Sequence, residues 1–232
     1  MARYAMVIDL HKCVGCGGCD LACKSENNTP DHINWSHHKI KTTGKFPNVQ
    51  FSYTPTLCNH CEDAPCVSVC PTKAMYKDSE GFVLHDDDKC IGCKACMLAD
   101  PYNVIFFNEK QAFIEWTDSQ PYTPWVRSPK NMIDHLNVPV PFYNPERSKT
   151  YAGIRPKGVV EKCSFCDHRT KAGLDPHCVV SCPANARIFG DIDNPTSDVH
   201  KLLTRYRPSV LLEEEGTKPK VFYIRSFNRA SI

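Results

Sequence analysis

No stretch of eighteen apolar residues occurs anywhere in the 232-residue sequence, so none of it reads as a membrane span. Charge of one sign is lacking too. The 28 lysines and arginines nearly balance 26 aspartates and glutamates, leaving +2, and no basic block forms a nucleic-acid footprint. A glycine-rich phosphate loop is missing, as is Gly-x-Ser-x-Gly, which removes the common nucleotide-binding and serine-hydrolase readings. The opening MARYAMVIDLHKC has no long apolar core, no twin arginine and no small-residue cleavage site, and predicts no signal peptide. Apolar residues make up only 41% and the mean hydropathy is -0.40, so burial of side chains alone gives thin support to so many loops.

What the sequence has in excess is cysteine. Fifteen fall in four runs: Cys13, Cys16, Cys19, Cys23; Cys58, Cys61, Cys66, Cys70; Cys90, Cys93, Cys96 with Asp100 where a fourth would stand; and Cys163, Cys166, Cys178, Cys182. Disulfides fit poorly, because the count is odd, the chain is well above mini-protein size and Cys-x2-Cys recurs in a metal-ligand rhythm. Zinc is the better competing reading, since two Cys-x2-Cys knuckles make a ribbon, but a ribbon does not ask for the close third and fourth cysteines.

Runs one and three share a grammar, CVGCGGCDLAC and CIGCKACMLAD. Runs two and four carry insertions, and the second, third and fourth end in Cys70-Pro71, Asp100-Pro101 and Cys182-Pro183. In bacterial ferredoxins three closely spaced cysteines hold one cluster while the fourth, followed by proline, reaches the other cluster of a pair. Short β-prone stretches flank the runs at Tyr4–Asp9, Ala74–Tyr76, Phe82–His85, Val104–Phe107 and Arg187–Gly190. The expected fold class is α+β: two ferredoxin-like 4Fe–4S domains with pseudo-two-fold symmetry plus an aromatic and proline-rich insert. Residues 1–50 with 157–195 form the first domain, 51–108 the second, 109–156 the insert and 196–232 a tail with a helix at Ser197–Tyr206 and a strand at Lys220–Arg225. Trp116, Tyr122, Trp125, Phe142 and Tyr143 give the insert two readings, a loop covering the metal sites or a docking surface.

The stretches MVIDLHKCVGCGGCDLAC, PTLCNHCEDAPCVSVCP, DKCIGCKACMLADP and EKCSFCDHR, with Cys178-x3-Cys182-Pro183, together resemble the iron–sulfur subunit of molybdenum or tungsten bis-pterin oxidoreductases. Within that family the look is nearest to the small subunits of respiratory arsenate reductase and of polysulfide or dimethyl-sulfoxide reductase. The resemblance implies four iron–sulfur clusters. Cys13, Cys16 and Cys19 join Cys182; Cys163, Cys166 and Cys178 join Cys23; Cys90, Cys93 and Cys96 join Cys70; and Cys58, Cys61 and Cys66 join Asp100. The first three are 4Fe–4S clusters with four cysteines. The last is a 4Fe–4S cluster with three cysteines and Asp100, a 3Fe–4S cluster, or a cluster with water at that corner. With fifteen thiolates and four oxidised cores counted, the loaded chain is acidic, at about -5.

Val14, Ile91 and Phe165 read as apolar cover for the sulfurs or as ordinary core. His11, His60, His168 and His177 lie near ligands that are already complete, so no ligand role is expected of them. Lys12, Lys89 and Lys162 each precede a run and either offset cluster charge or are simply solvated. No catalytic residue is expected. The reading is an electron-transfer subunit that works between a molybdopterin catalytic subunit and a membrane quinone-reactive subunit or soluble cytochrome; a free-standing polyferredoxin is the competing class. By resemblance the complex is periplasmic, co-exported with its catalytic partner, with a cytoplasmic place as the alternative.

Overall fold

The YAMVID sequence forms β1, Tyr4–Asp9, and nearly all of it is buried because it is the middle strand of three. On one side β8, Arg187–Asp191, runs antiparallel with Ile8 opposite Arg187; on the other β9, Val221–Ile224, runs parallel with Met6 opposite Val221. Successive side chains of a strand face opposite ways. Met6 and Ile8 accordingly enter the main core, while Ala5 and Val7 pack with Val199, Leu202 and Leu203 of helix α6, Asp198–Arg205. Ser197 caps that helix, its Oγ accepting from the Val199 amide at 3.3 Å. This computed structural model describes residues 2–30, 32–110 and 156–226, with His135 and Asn144. The expected aromatic insert, with Trp116, Tyr122, Trp125, Phe142 and Tyr143, lies outside the described residues.

Each cysteine run leads into a short helix. These are α1, Gly18–Asn27; α2, Pro65–Ser68; α3, Ala95–Ala99; and, in the fourth run, α4, Asp167–Thr170, and α5, His177–Val180. Helix α1 packs on α5, and α2 on α3. Run one is thereby joined to run four, and run two to run three. Two small antiparallel pairs stand at the edges of the runs; the first repeats the partnership of runs two and three, and the second ties run three to run four. They are β4, Met75–Lys77, with β5, Val83–His85, and β6, Ile105–Phe107, with β7, Val160–Lys162.

A feature absent from the sequence reading is the long hairpin of β2, Ser36–Lys45, and β3, Asn48–Leu57. Its turn needs glycine at 44, where φ is +87° and a Cβ would strike the Asn48 carbonyl. The domain break expected after residue 50 falls inside β3. The base of this hairpin, from Ser36 on one strand to Leu57 on the other, is buried, whereas its tip is exposed. The main core gathers most of the buried cysteines with Phe82, Phe165, Ile33, Leu57 and Tyr102, so sulfur is part of the packing.

Candidate metal centres

All four runs use one backbone device. The residue two places after the first cysteine has positive φ in every run: Gly15 at 67°, His60 at 44°, Gly92 at 67° and Phe165 at 56°. That left-handed step turns the chain so that successive thiols face one point. Glycine suits it in runs one and three, where a Cβ would meet the Tyr53 ring at 2.9 Å or press on the Gly158 carbonyl. A histidine or phenylalanine at positive φ is a backbone outlier held by its surroundings. Here each holds the other: His60 and Phe165 stack at 3.8 Å with 18° between planes, both buried. His60 Nδ1 also accepts from the Val83 amide at 3.1 Å.

Three of the four fourth donors share a second device, while Cys23 stands inside helix α1. Lys73, Asn103 and Asn185, each three places after Cys70, Asp100 and Cys182, have positive φ and donate back to the carbonyl of that residue. Asp100 therefore occupies the same local frame as two cysteines. Its carboxylate is buried and takes three backbone amides: Tyr102 on Oδ1 at 3.0 Å, and Val104 at 2.7 Å and Ile105 at 3.2 Å on Oδ2. The sulfurs receive the same kind of donor. Cys70 Sγ accepts from Met75 N at 3.4 Å, Cys90 from Gly92 N at 3.4 Å, Cys163 from Phe165 N at 3.4 Å and Cys182 from Ala186 N at 3.3 Å.

Four groups of donors result. Cys13, Cys16, Cys19 and Cys182 line one pocket; Cys90, Cys93, Cys96 and Cys70 line another; Cys58, Cys61, Cys66 and Asp100 line a third. Cys23, Cys163, Cys166 and Cys178 are all buried, and the charges of the other three oppose ionisation of Cys23. None of the fifteen thiols is in a disulfide. Burial, then repulsion from neighbouring sulfurs, pushes the thiol of Cys66 up to about 12 and that of Cys96 to about 11; burial and Cys178 push Cys166 to about 12. Thiols gathered so closely cannot all ionise unless a cationic core shares the space, and amide donors aimed at sulfur are what iron–sulfur ligands receive. The residues present fit iron–sulfur clusters.

Two profiles of the 4Fe-4S dicluster domain match the sequence, one over residues 7–74 and one over 49–118 and 146–192. The iron–sulfur subunit of an arsenate respiratory reductase from Shewanella sp. strain ANA-3 is 55% identical, covering 97% of both chains. A subunit of the selenate reductase of Mesobacillus selenatarsenatis is 37% identical over 96% of this chain and 72% of its own. One chain of the polysulfide reductase of Wolinella succinogenes is 32% identical over 96% and 94%. The chain belongs to the family of 4Fe–4S dicluster iron–sulfur subunits of reductase complexes. Subunits of this family are not catalytic themselves; they transfer electrons within the complex. Two ferredoxin-like dicluster domains and an α+β build agree with the expected class.

What surrounds the donors in this dicluster subunit was only partly visible in its sequence. His38, on the unforeseen hairpin, lies 2.6 Å from Asp20 and is pushed up to about 11 by that contact first and by the Cys13 and Cys19 sulfurs next. Ser36 donates to Asp20 at 2.8 Å, and buried Arg187 donates to Ser36 at 2.9 Å. Tyr53 donates to the Cys13 carbonyl at 2.7 Å. The alternating β-branched and aromatic residues of Asn48–Leu57 after a Gly-Lys-Phe-Pro turn were the available signal, blunted by Pro55. Among the histidines set aside as ligands, His168 and His177 pair with buried Glu26 at 2.7 and 3.0 Å. Lys162 departs from its solvated reading, for it is buried and bonds the Val83 and Cys163 carbonyls. Lys12 and Lys89 are exposed. Val14 and Ile91 line their pockets from the solvent side, 63% and 67% exposed, while Phe165 is core.

Proposed function

We propose that this subunit holds four iron–sulfur clusters and works between a molybdenum or tungsten bis-pterin catalytic subunit and a second redox partner, a membrane quinone-reactive subunit or a soluble cytochrome. Cys13, Cys16, Cys19 and Cys182 hold one 4Fe–4S cluster, Cys163, Cys166, Cys178 and Cys23 a second, and Cys90, Cys93, Cys96 and Cys70 a third. Cys58, Cys61, Cys66 and Asp100 hold the fourth. The single observation that carries the reading is the convergence of four donors at each of four places. When bound, such clusters supply one-electron redox chemistry.

The chain's residues set the order of the sites. Cys16 and Cys93 are the exposed cysteines, one in each outer set, with exposed apolar Val14 and Leu21 beside the first and Ile91 and Leu98 beside the other. These two ends meet the partners. The inner sets are buried and adjoin where His60 stacks on Phe165. The packing of α1 on α5 and of α2 on α3 supports a pseudo-two-fold repeat of the pairs. A carboxylate has about four acceptor sites, and backbone amides use three at Asp100, which leaves one for iron. As a harder donor than thiolate, Asp100 shifts the potential of its cluster.

Anaerobically prepared protein should contain about sixteen irons, or about fifteen if the Asp100 corner stays open as a three-iron cluster. Far fewer than about a dozen would sink the reading. Asp100→Cys should change the EPR spectrum and midpoint of one cluster only; no change in either would refute ligation by Asp100. Co-purification with a molybdenum- or tungsten-containing subunit tests the partner, and elution of the chain alone would count against it. We place the complex in the periplasm by co-export, and recovery from the cytoplasmic fraction would overturn that.

A further inference from the structure

Three of the fourth donors, Cys70 and Asp100 of one pair and Cys182 of the other, share a local frame, and that frame has a position five residues after the donor. After Cys70 it is Met75, after Asp100 it is Ile105, and after Cys182 it is Arg187. All three are buried, at 1%, 5% and 3% exposure. The fold therefore tolerates an apolar side chain there, and a buried guanidinium is not something the frame requires. Burying an uncompensated cation is strongly unfavourable, so its presence here calls for an anionic partner.

The protein supplies only part of one. Arg187 Nη2 donates to Ser36 Oγ, but Nε and Nη1 are buried without a hydrogen-bond partner. The guanidinium lines the pocket of Cys13, Cys16, Cys19 and Cys182, and it also faces Cys178 of the neighbouring set. Burial works against its charge, yet Cys178 and Cys19, with Asp20, outweigh burial and keep it cationic. Its field favours the thiolates of Cys13 and Cys23 as well, one from each set.

Building on the cluster sets proposed above, we propose that Arg187 is a positioning cation shared by the two clusters of runs one and four, held by Ser36 and aimed at both, which raises their reduction potentials over those of the other pair. A fixed positive charge favours the reduced, more negative form of a nearby cluster, and in a buried site its field is weakly screened. It acts on both members of the pair because it touches both sets.

The test uses the whole complex with its clusters loaded, iron analysis first, and EPR-monitored redox titration of all four couples. Arg187→Met installs the residue found at the matching position of run two, and Arg187→Gln keeps a bond to Ser36 while losing the charge. In either, two couples should fall by about tenfold in their reduction equilibrium, ~59 mV for one electron. The other two should stay put, and Arg187→Lys should recover most of the loss. Unchanged potentials in a fully loaded neutral variant overturn the proposal while leaving the four clusters intact as a reading. If neither neutral variant takes up iron at the run-one and run-four sites but Arg187→Lys does, the charge requirement stands. If the lysine variant fails as well, the residue serves packing and the proposal falls. Low iron in the unaltered complex would instead sink the cluster reading itself.

Discussion

Runs one and four gather one pair of donor sets, runs two and three gather the other, and the two pairs share loop geometry while differing in the charges set beside them. Beside the first pair lie buried Arg187, His38 on its Asp20 partner, and Glu26 gathering His168, Arg169 and His177. Beside the second, the carboxylate of Asp100 lines a pocket with Cys58, Cys61 and Cys66, and apolar Met75 and Ile105 occupy the places that match Arg187. Lys162 sits between them, reaching the Val83 carbonyl on one side and that of Cys163 on the other. The loops are fixed by backbone hydrogen bonds and left-handed residues, which do not depend on side-chain charge. Charge can therefore vary from pair to pair with little effect on the fold, which is a means for a scaffold of this kind to set the potentials of otherwise similar clusters apart.

The comparison breaks most severely where the pairs meet. Phe165 fills the space between His60, Phe82 and Phe189, and it does so at a backbone angle that a phenylalanine adopts under constraint. Phe165→Ala should destabilise the loaded protein by about 3–5 kcal/mol in denaturant unfolding. Phe165→Gly removes the same ring but accepts the positive φ, and should lose about 1 kcal/mol less. The ordering is the sharp part. Glycine is ordinarily worse than alanine, so an alanine variant more stable than the glycine variant would show that the left-handed angle stores no cost here.

Next in size is the anion of the second pair. In Asp100→Ala the amides of Tyr102, Val104 and Ile105 lose their acceptor inside the protein, which should cost about 1–3 kcal/mol. Asp100→Cys, with a sulfur in the frame that Cys70 and Cys182 already use, should recover most of that. Differential protection of these three amides in hydrogen exchange checks it, and equal protection in the alanine variant would show that the carboxylate is not what holds the turn.

The parts legible in the sequence are those governed by spacing. β1 runs over the expected Tyr4–Asp9, and the helix expected at Ser197–Tyr206 runs from Asp198 to Arg205 between those two caps. The strands at Met75–Lys77, Val83–His85, Ile105–Phe107 and Arg187–Asp191 sit within a residue or so of the expected stretches. The donor groups are also written as spacing, because a tight loop must place its thiols by local geometry. The rest depends on contacts distant in sequence. β7 is three residues long and exists through pairing with β6 some fifty residues away, and the β2–β3 hairpin exposes Ile40, Phe46, Val49 and Phe51 toward its tip and carries Pro55 in its second strand, so its alternation does not mark a buried face. His38 reaches the first pocket from that hairpin, a position with no fixed offset to any cysteine of the set it serves, and Arg187, though five places after Cys182, stands where the matching places of the other runs hold Met75 and Ile105. His60 and Phe165 stand where residue preference argues for glycine, and only their stacking across the two pairs accounts for them.

An effect of similar size sharpens the electrostatic side of the comparison by pH. Burial, the largest single influence, pushes the Glu26 carboxyl up, but the His168 bond together with the charges of His168, Arg169 and His177 outweighs it, so the group lies below its ordinary 4.5. A carboxyl with a lower pKa folded than unfolded stabilises the folded state above the unfolded value, and that contribution is lost as pH falls through the folded one. Glu26→Gln should therefore reduce stability by about 1–3 kcal/mol between pH 5 and 7, with the gap to the unaltered protein closing below pH about 4.5. The matched control belongs to the other pair: Asp100→Ala removes backbone hydrogen bonds. Denaturant midpoints at stepped pH distinguish them. A Glu26→Gln gap that widened in acid would mean that the carboxyl is held protonated rather than ionised, and the histidine and arginine around it would then not be its counter-charges.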